Sequence, residues 1–296
     1  MRPSTIGSVV AAILLCSLAT SVHAQQGPRR PWVDRWFITS DSVRLHYLSG
    51  GRGSGPAIVF VPGWTMPADI WEPQLRYFAR SSRVVALDPR SQGASQRTSD
   101  GNYTDRRAQD IHELIAQIKA PRVVVVGWSM GVPEALQLVE QYGTTDIAGL
   151  VLVDNFVQVP QTSQLAAFMD TLLFHLLRDR PVFTTMFVHG MYRTPQDSAY
   201  LARIVRTSLS TPTTTAYTLL AGTFATGRRD WRPALDRVDR PLLFVGSALM
   251  RETADTIRAH VRDAQIEIFE NAGHALFVDE PDHFNQVLAD FLRRLR

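Results

Sequence analysis

Mostly apolar runs of about five residues alternate along the chain with longer amphipathic segments. Six such runs are typical of strands buried on both faces: residues 57–61, 83–87, 122–126, 149–153, 241–245 and 266–269. Two shorter strand-like segments precede them, residues 35–40 and 43–48. Helical periods lie between the runs, at residues 70–79, 105–118, 131–142, 254–261 and 281–294. This alternation predicts an α/β fold with a mostly parallel, eight-stranded sheet flanked by helices.

One stretch, at about residues 156–236, breaks this alternation. It contains no convincing buried strand and carries Phe, Met, Leu and Tyr at helical spacings, interrupted by four prolines. It follows the sixth strand of the predicted sheet. We therefore expect a helical cap inserted into the sheet domain, with a set of ordinary core helices as the alternative.

The first 24 residues have the pattern of a secretory signal peptide. Arg2 gives a positive start, an apolar stretch follows, and Val22 and Ala24 provide small residues before Gln25. The apolar stretch is too short for a spanning helix. We expect a mature chain of residues 25–296, secreted or periplasmic and without a stable membrane span; an uncleaved anchor is the alternative. The only cysteine, Cys16, would leave with the signal, so the mature chain has no disulfide or thiol nucleophile.

Composition narrows the function classes. With 45% hydrophobic and 20% charged residues, the 296-residue chain is an ordinary globular sequence. Its 31 Lys and Arg against 28 Asp and Glu leave a net charge of +3. That is too small a charge for a nucleic-acid interface, so we expect no nucleic-acid partner. Metal-ligand spacings, phosphate-binding glycine loops and dinucleotide fingerprints are absent from the sequence, and we expect no cofactor and no metal.

The strongest chemical motif is Gly127-Trp128-Ser129-Met130-Gly131. It directly follows the apolar run Val-Val-Val-Val and opens a helical segment. A Gly-x-Ser-x-Gly motif in that context forms a sharp strand-to-helix turn that exposes the serine hydroxyl. Ser129 is therefore the candidate nucleophile.

Two further elements complete the predicted chemistry. His274 follows the last apolar run on a short loop, so it is placed at the same sheet edge as Ser129 and is the candidate general base. An oxyanion hole needs two backbone N–H groups. We expect Met130, which follows the serine, and Trp64, in the Pro62-Gly63-Trp64 loop after the third strand, to supply them.

These motifs give the chain a family resemblance. It resembles the α/β-hydrolase superfamily, in particular the cofactor-free haloperoxidase and aryl-esterase branch. The shared segments are Phe-Val-Pro-Gly-Trp at 60–64, Leu-Asp-Pro-Arg-Ser-Gln-Gly-Ala-Ser at 87–95, the serine motif, the segment 142–154 and Asn-Ala-Gly-His at 271–274. The resemblance covers almost all of residues 35–296, loosely in the cap. It implies the α/β-hydrolase fold and a serine hydrolase.

The acid that orients the histidine departs from the family pattern. The resemblance places it a few residues after the seventh strand, where this chain has Leu249. Asp154, at the end of the sixth strand, is the favoured replacement, because other branches of the superfamily use an acid there. Glu252 and Asp255 lie just beyond the usual position and stay open as alternatives, and so does a site without an acid.

The predicted cap determines the substrate. Nine of its apolar residues are candidates to line a pocket for an acyl chain or aromatic group: Phe168, Met169, Leu172, Phe174, Phe183, Met186, Phe187, Met191 and Tyr192. The expected function is a secreted serine hydrolase that cleaves small to medium carboxylic esters or lactones through an acyl-enzyme on Ser129. The alternatives are C–C, amide or perhydrolysis chemistry, and a non-catalytic ligand-binding or signalling protein. The oligomeric state stays open.

Overall fold

Runs of Val, Ile and Leu form the centre of an eight-stranded sheet. The structure is a computed structural model that describes residues 30–223 and 230–295. Within those residues the strands are β1 (Trp32–Ile38), β2 (Arg44–Gly50), β3 (Ala57–Val61), β4 (Val84–Asp88), β5 (Val123–Trp128), β6 (Ile147–Val153), β7 (Leu242–Ser247) and β8 (Gln265–Phe269). Their order across the sheet is β1-β2-β4-β3-β5-β6-β7-β8.

Strand direction divides the sheet into two parts. β1 pairs antiparallel with β2, and β2 pairs antiparallel with β4, whereas every pair from β4 to β8 is parallel. Parallel strands are covered on both faces, and every residue of β3, β4 and β5 is buried. All six parallel strands therefore direct their carboxyl ends to one edge, where sites form in such sheets.

Helices cover both faces of the sheet. The described helices are α1 (Glu72–Phe78), α2 (Thr104–Ile118), α3 (Gly131–Tyr142), α4 (Ser163–Arg178), α5 (Arg180–Gly190), α6 (Ser198–Leu209), α7 (Thr213–Ala221), α8 (Arg232–Leu235), α9 (Arg251–His260), α10 (Leu276–Asp279) and α11 (Pro281–Arg293). One apolar cluster joins the sheet to α2, α3, α8 and α9. A second cluster joins the opposite face to α1, α10 and α11.

A third, smaller apolar cluster joins the segment between β6 and β7 to the edge of the sheet. Leu173 and Leu176 of α4 and Leu219 of α7 pack there with Trp64 and Met130. Helices α4 to α7 therefore lie over the carboxyl ends of β3 and β5. Part of the cap predicted at about 156–236, residues 224–229, lies outside the described residues.

The structure differs from the sequence-based expectation at the first strand. β1 begins at Trp32 rather than at residue 35, because Trp32 pairs with Gly50 and extends the hairpin register. Trp32 is buried and belongs to the second cluster, although it lies in a segment rich in Arg and Pro that does not resemble a strand. The predicted signal peptide, residues 1–24, lies outside the described residues. That segment and the secreted or periplasmic location stay predictions. Within residues 30–223 and 230–295, no helix has the length and hydropathy needed to cross a bilayer.

Candidate active site

Ser129 lies on a tight turn between β5 and α3. Its φ of 53° is in the left-handed region, which non-glycine residues seldom adopt. Glycines make the turn possible: a Cβ on Gly127 would lie 2.3 Å from the carbonyl oxygen of Gly131, and one on Gly131 would lie 2.6 Å from that of Val61. The strand, helix and neighbouring loop therefore approach too closely for any larger residue, and the turn projects the Ser129 hydroxyl at the sheet edge.

A continuous hydrogen-bonded chain connects Ser129, His274 and Asp154. His274 Nε2 lies 2.8 Å from Ser129 Oγ, and His274 Nδ1 lies 2.6 Å from Asp154 Oδ2. With Asp154 as a carboxylate acceptor, Nδ1–H donates to it and Nε2 accepts the serine proton. Asp154 is 2% exposed, so its charge acts on the imidazole with little screening by water.

Asp154 stands at the end of β6, and a second hydrogen bond fixes its carboxylate. The Ser247 backbone N–H, at the end of β7, donates to Asp154 Oδ1 over 2.6 Å. Leu249, at the position where the resemblance places an acid, is 85% exposed. Glu252 is exposed on α9, and Asp255 pairs with Arg258 at 3.7 Å. Of the three candidate acids, only Asp154 contacts the histidine in the described structure.

The loop that carries His274 is held from several sides. The backbone carbonyl oxygen of His274 accepts a hydrogen bond of 2.8 Å from the Trp128 indole N–H. The Gly273 N–H donates to Asp279, and the Ala275 N–H donates to the Met191 carbonyl. A Cβ on Gly273 would lie 2.6 Å from that same carbonyl oxygen of Met191. The imidazole is therefore positioned before any ligand binds.

The two backbone N–H groups expected at an oxyanion hole lie beside the serine. A Cβ built on Gly63 would be 3.2 Å from Ser129 Oγ, which places the Gly63–Trp64 peptide next to the hydroxyl. Met130 follows Ser129 directly. Across the described residues, neither the Trp64 N–H nor the Met130 N–H has an acceptor in the protein. Both are free to donate to a ligand oxygen.

A cavity of about 430 Å³ opens above the hydroxyl. Seven of the nine predicted cap residues line it: Phe168, Met169, Leu172, Phe183, Met186, Phe187 and Met191. The other two do not. Phe174 is 58% exposed, and the Tyr192 hydroxyl lies 3.1 Å from that of Tyr200. The cavity is strongly apolar, with Ser129, Asp154 and His274 at its base.

Several residues at or near the site were not predicted from the sequence. Asn155 lines the cavity, and its Nδ2 donates to the Ser129 carbonyl over 2.8 Å, which supports the turn. Buried Gln92, Arg107 and Glu134 lie behind the loops that carry Trp64 and Met130. Adjacency to Asp154 was the only available signal for Asn155. For the other three, no local pattern separates a buried polar residue from a surface one.

Within the described residues, no group of three or more His, Cys, Asp or Glu side chains is arranged to hold a metal ion.

Comparison with known proteins identifies the family of the chain. The chain belongs to the alpha/beta hydrolase family, whose pattern matches residues 58–287. It is 24% identical to a non-heme chloroperoxidase of Kitasatospora aureofaciens over 86% of this chain and 98% of that protein. It is 27% identical to a pimeloyl-[acyl-carrier protein] methyl ester esterase of Nitrosomonas europaea, over 78% of this chain and 94% of the relative.

A solved structure shows the same fold. The esterase EaEST from Exiguobacterium antarcticum superimposes with a TM-score of 0.78 at 21% identity, over 87% of this chain and 98% of that chain. The predicted α/β-hydrolase fold and the resemblance to haloperoxidases and esterases are thereby confirmed. The chain is a hydrolase at the level of its family.

Proposed function

We propose that the protein is a serine hydrolase that cleaves carboxylic esters through an acyl-enzyme on Ser129. One observation carries the proposal: the Asp154–His274–Ser129 chain ends in an apolar cavity beside two unpaired backbone N–H groups. A nucleophile, a base, an orienting acid and oxyanion donors are the parts that acyl transfer requires.

The proposed mechanism follows from the hydrogen bonds. Ser129 Oγ attacks the ester carbonyl while His274 Nε2 takes its proton, and the Asp154 carboxylate stabilises the imidazolium. The Trp64 and Met130 N–H groups donate to the oxyanion of the tetrahedral intermediate. His274 then gives the proton to the leaving alkoxide. Water, deprotonated by His274, attacks the acyl-enzyme and releases the carboxylic acid and free Ser129.

The cavity indicates an uncharged, apolar acyl group of small to medium size. None of its described lining residues is Lys or Arg, so a second carboxylate on the substrate would be buried without a partner. Aromatic and methionine side chains form most of the wall. Lactones with an apolar ring substituent fit the same description.

A second activity is favoured by one comparison. The relative from Kitasatospora aureofaciens is named a non-heme chloroperoxidase. On this chain the same acyl-enzyme would give a peracid if hydrogen peroxide, instead of water, attacked the acyl carbonyl. Peracid formation with peroxide and an ester, followed by its oxidation of iodide, tests this perhydrolysis.

The primary test uses purified protein with p-nitrophenyl esters from acetate to laurate and a fluorophosphonate label. We expect wild-type protein to hydrolyse the esters and to take up the label at Ser129. Ser129→Ala should lose the label and about 10⁴-fold or more in kcat while staying folded. Ser81→Ala, at an exposed serine, is the matched control and should behave as wild type. Absence of both labelling and hydrolysis in the wild type would favour a ligand-binding protein instead.

A further inference from the structure

Gln92 is a fully buried glutamine behind the loop that carries Trp64. Its Nε2 donates to the carbonyl oxygens of Gly63, over 3.1 Å, and Met66, over 3.0 Å. The Gly63 oxygen also accepts the Met66 N–H over 3.2 Å. A side chain that comes from the loop after β4 therefore holds both ends of the loop after β3.

The Gly63 carbonyl belongs to the same peptide unit as the Trp64 N–H. In a planar trans peptide the C=O and the N–H point in opposite directions. The described residues contain no cis peptide bond. Anchoring the Gly63 oxygen therefore determines where the Trp64 N–H points, which is away from Gln92. Hydrogen bonds to the carbonyl also polarise the peptide and strengthen its N–H as a donor.

Arg107 on α2 determines which end of the Gln92 amide faces the loop. Its Nη2 donates to Gln92 Oε1 over 2.9 Å, so the amide NH₂ must face the two carbonyls. Its Nη1 lies 3.7 Å from the sulfur of Met130, the residue that supplies the other oxyanion donor. Arg107 is 1% exposed and therefore needs an opposite charge.

Glu134, in the first turn of α3, supplies that charge. Its Oε1 lies 3.0 Å from Arg107 Nε, and both side chains are almost fully buried. Desolvation raises the pKa of Glu134 to about 7 and the Arg107 charge opposes that rise, so the Glu134 carboxylate is fully charged only above neutral pH. One buried ion pair thus joins the helix that follows Ser129 to the glutamine that holds the Gly63–Trp64 peptide.

We propose that Gln92 is a positioning residue for the oxyanion hole: held by the Arg107–Glu134 pair, it aligns the Trp64 N–H with the developing oxyanion. The inference rests on the proposed function, since it assigns a role in transition-state stabilisation. It requires no contact between Gln92 and substrate. We therefore expect a substitution of Gln92 to weaken stabilisation of the transition state, and so to lower kcat, without weakening substrate binding.

The test replaces Gln92 with methionine, which has a similar shape but no hydrogen bonds. Removing an oxyanion donor outright lowers kcat about 10²–10³-fold. A misaligned donor should have a smaller effect, and for p-nitrophenyl butyrate we expect kcat to fall about 10- to 100-fold with KM changed less than about threefold. Affinity for a trifluoromethyl ketone, whose hemiketal oxyanion occupies the hole, should fall in parallel with kcat.

Gln74→Met is the matched control. Gln74 is equally buried, and its Nε2 also donates to a backbone carbonyl, that of Phe277 over 2.9 Å, but its hydrogen bonds lie away from the Gly63–Trp64 peptide. We expect Gln74→Met to lower the melting temperature about as much as Gln92→Met does. The kcat of Gln74→Met should stay within about threefold of the wild-type value. A fall in kcat of equal size in both variants would assign Gln92 a merely structural role.

Other outcomes separate this inference from the proposed function. If wild-type protein hydrolyses the ester and folded Gln92→Met retains kcat and ketone affinity, the positioning role is wrong and the serine mechanism stands. If wild-type protein shows neither labelling nor hydrolysis, the proposed function fails first. Should Gln92→Met fail to fold, Gln92→Glu keeps an acceptor for Arg107 but presents oxygen to the two carbonyls. It should show the same loss in kcat and ketone affinity, and unchanged values would overturn the inference.

Discussion

At the scale of single residues, Asp154 shows how one carboxylate can connect two strands to the candidate base. Oδ2 accepts from His274, while Oδ1 accepts the Ser247 N–H at the end of β7. The residue itself follows β6, and its φ of 49° is in the left-handed region. The backbone of β7 thus supports an acid that belongs to the neighbouring strand. With both oxygens engaged, the carboxylate has little freedom to turn away from the imidazole.

Asp154→Asn should therefore impair the proposed chemistry without unfolding the protein. The amide oxygen can still accept the Ser247 N–H, but the amide NH₂ would then face His274 Nδ1. That contact favours the tautomer with its proton on Nε2, which cannot accept the serine proton. We expect kcat for p-nitrophenyl butyrate to fall about 10²–10⁴-fold with little change in KM.

Glu252→Gln is the control for that experiment. Glu252 is exposed on α9, and its substitution should leave kcat within about twofold of the wild-type value. The reverse result, a near-neutral Asp154→Asn beside an inactive Glu252→Gln, would mean that the loop rearranges and that the acid lies on α9.

The sequence identifies some residues of the candidate site clearly and others not at all. Ser129 and His274 stand out because each directly follows a strand in a short motif. The acid does not stand out, since the sequence offers three candidate carboxylates. Only the tertiary structure brings one of them, Asp154 Oδ2, to the imidazole. The position of Gln92 beneath the Gly63–Trp64 peptide requires the loops after β3 and β4 to be placed together. Nothing local encodes that placement.

At the scale of elements, α4 and α5 form an apolar groove that continues the cavity. A groove of about 390 Å³ lies between them, and it shares with the cavity the residues Phe168, Leu172, Phe183, Met186 and Phe187. Its far end is reached at Asp179, in the connection between the two helices. A linear acyl chain that fills the cavity would therefore extend along this groove. Each methylene it buries contributes about 0.8 kcal/mol, roughly fourfold in kcat/KM.

Met186→Glu should change the chain-length preference of the proposed esterase. Met186 is 70% exposed, so the substitution should leave the fold intact, but it places a carboxylate where the cavity and the groove meet. A charge beside buried methylenes loses hydration without gaining a partner. We expect the ratio of kcat/KM for laurate to that for acetate to fall at least about tenfold, measured with p-nitrophenyl esters.

Leu177→Glu is the matched control for the groove. Leu177 is an exposed apolar residue of α4 that lines neither the cavity nor the groove. The ratio of kcat/KM for laurate to that for acetate should be the same in Leu177→Glu as in the wild type. An equal ratio in all three proteins would show that long chains do not enter between α4 and α5, while leaving the serine mechanism untouched.

The helices over the site were more predictable as a group than residue by residue. Phe, Met and Leu at helical spacings indicate helices without specifying which face meets the sheet. Phe174 and Phe183 look alike in the sequence, yet the first is 58% exposed and the second lines the cavity. The difference arises from which face of each helix packs toward the sheet, and that is determined only when the helices pack.

At the scale of the whole molecule, His46 ties together the antiparallel end of the sheet. From β2 its Nδ1 contacts Asp88 of β4 at 2.7 Å, and its Nε2 contacts Asp34 of β1 at 3.0 Å. Asp88 also accepts the backbone N–H groups of Ala68 and Ala94. The imidazole thus joins three strands and two loops. Burial lowers the pKa of His46, but the hydrogen bonds and charges of Asp88 and then Asp34 outweigh it and raise the pKa above 6.5.

This raised pKa makes the stability of the molecule depend on pH. The folded protein holds the His46 proton more tightly than the unfolded chain, so the stabilisation is complete below about pH 6.5, the unfolded value. It is lost as pH rises through the higher folded pKa. His46→Gln, which keeps polar contacts but does not titrate, should lower the free energy of unfolding by on the order of 1 kcal/mol at about pH 6. The deficit should shrink as pH increases toward about 9.

Urea unfolding of wild type and variant across that pH range measures the deficit directly, and the difference cancels groups that titrate alike in both proteins. His189→Gln, at an exposed position on α5, is the control and should show no such trend. A His46→Gln deficit that stays constant with pH would show that the imidazole is neutral in the folded protein and contributes only packing. A deficit that grows with pH would contradict the raised pKa itself, because stabilisation by a protonated histidine can only decline as protons are withdrawn.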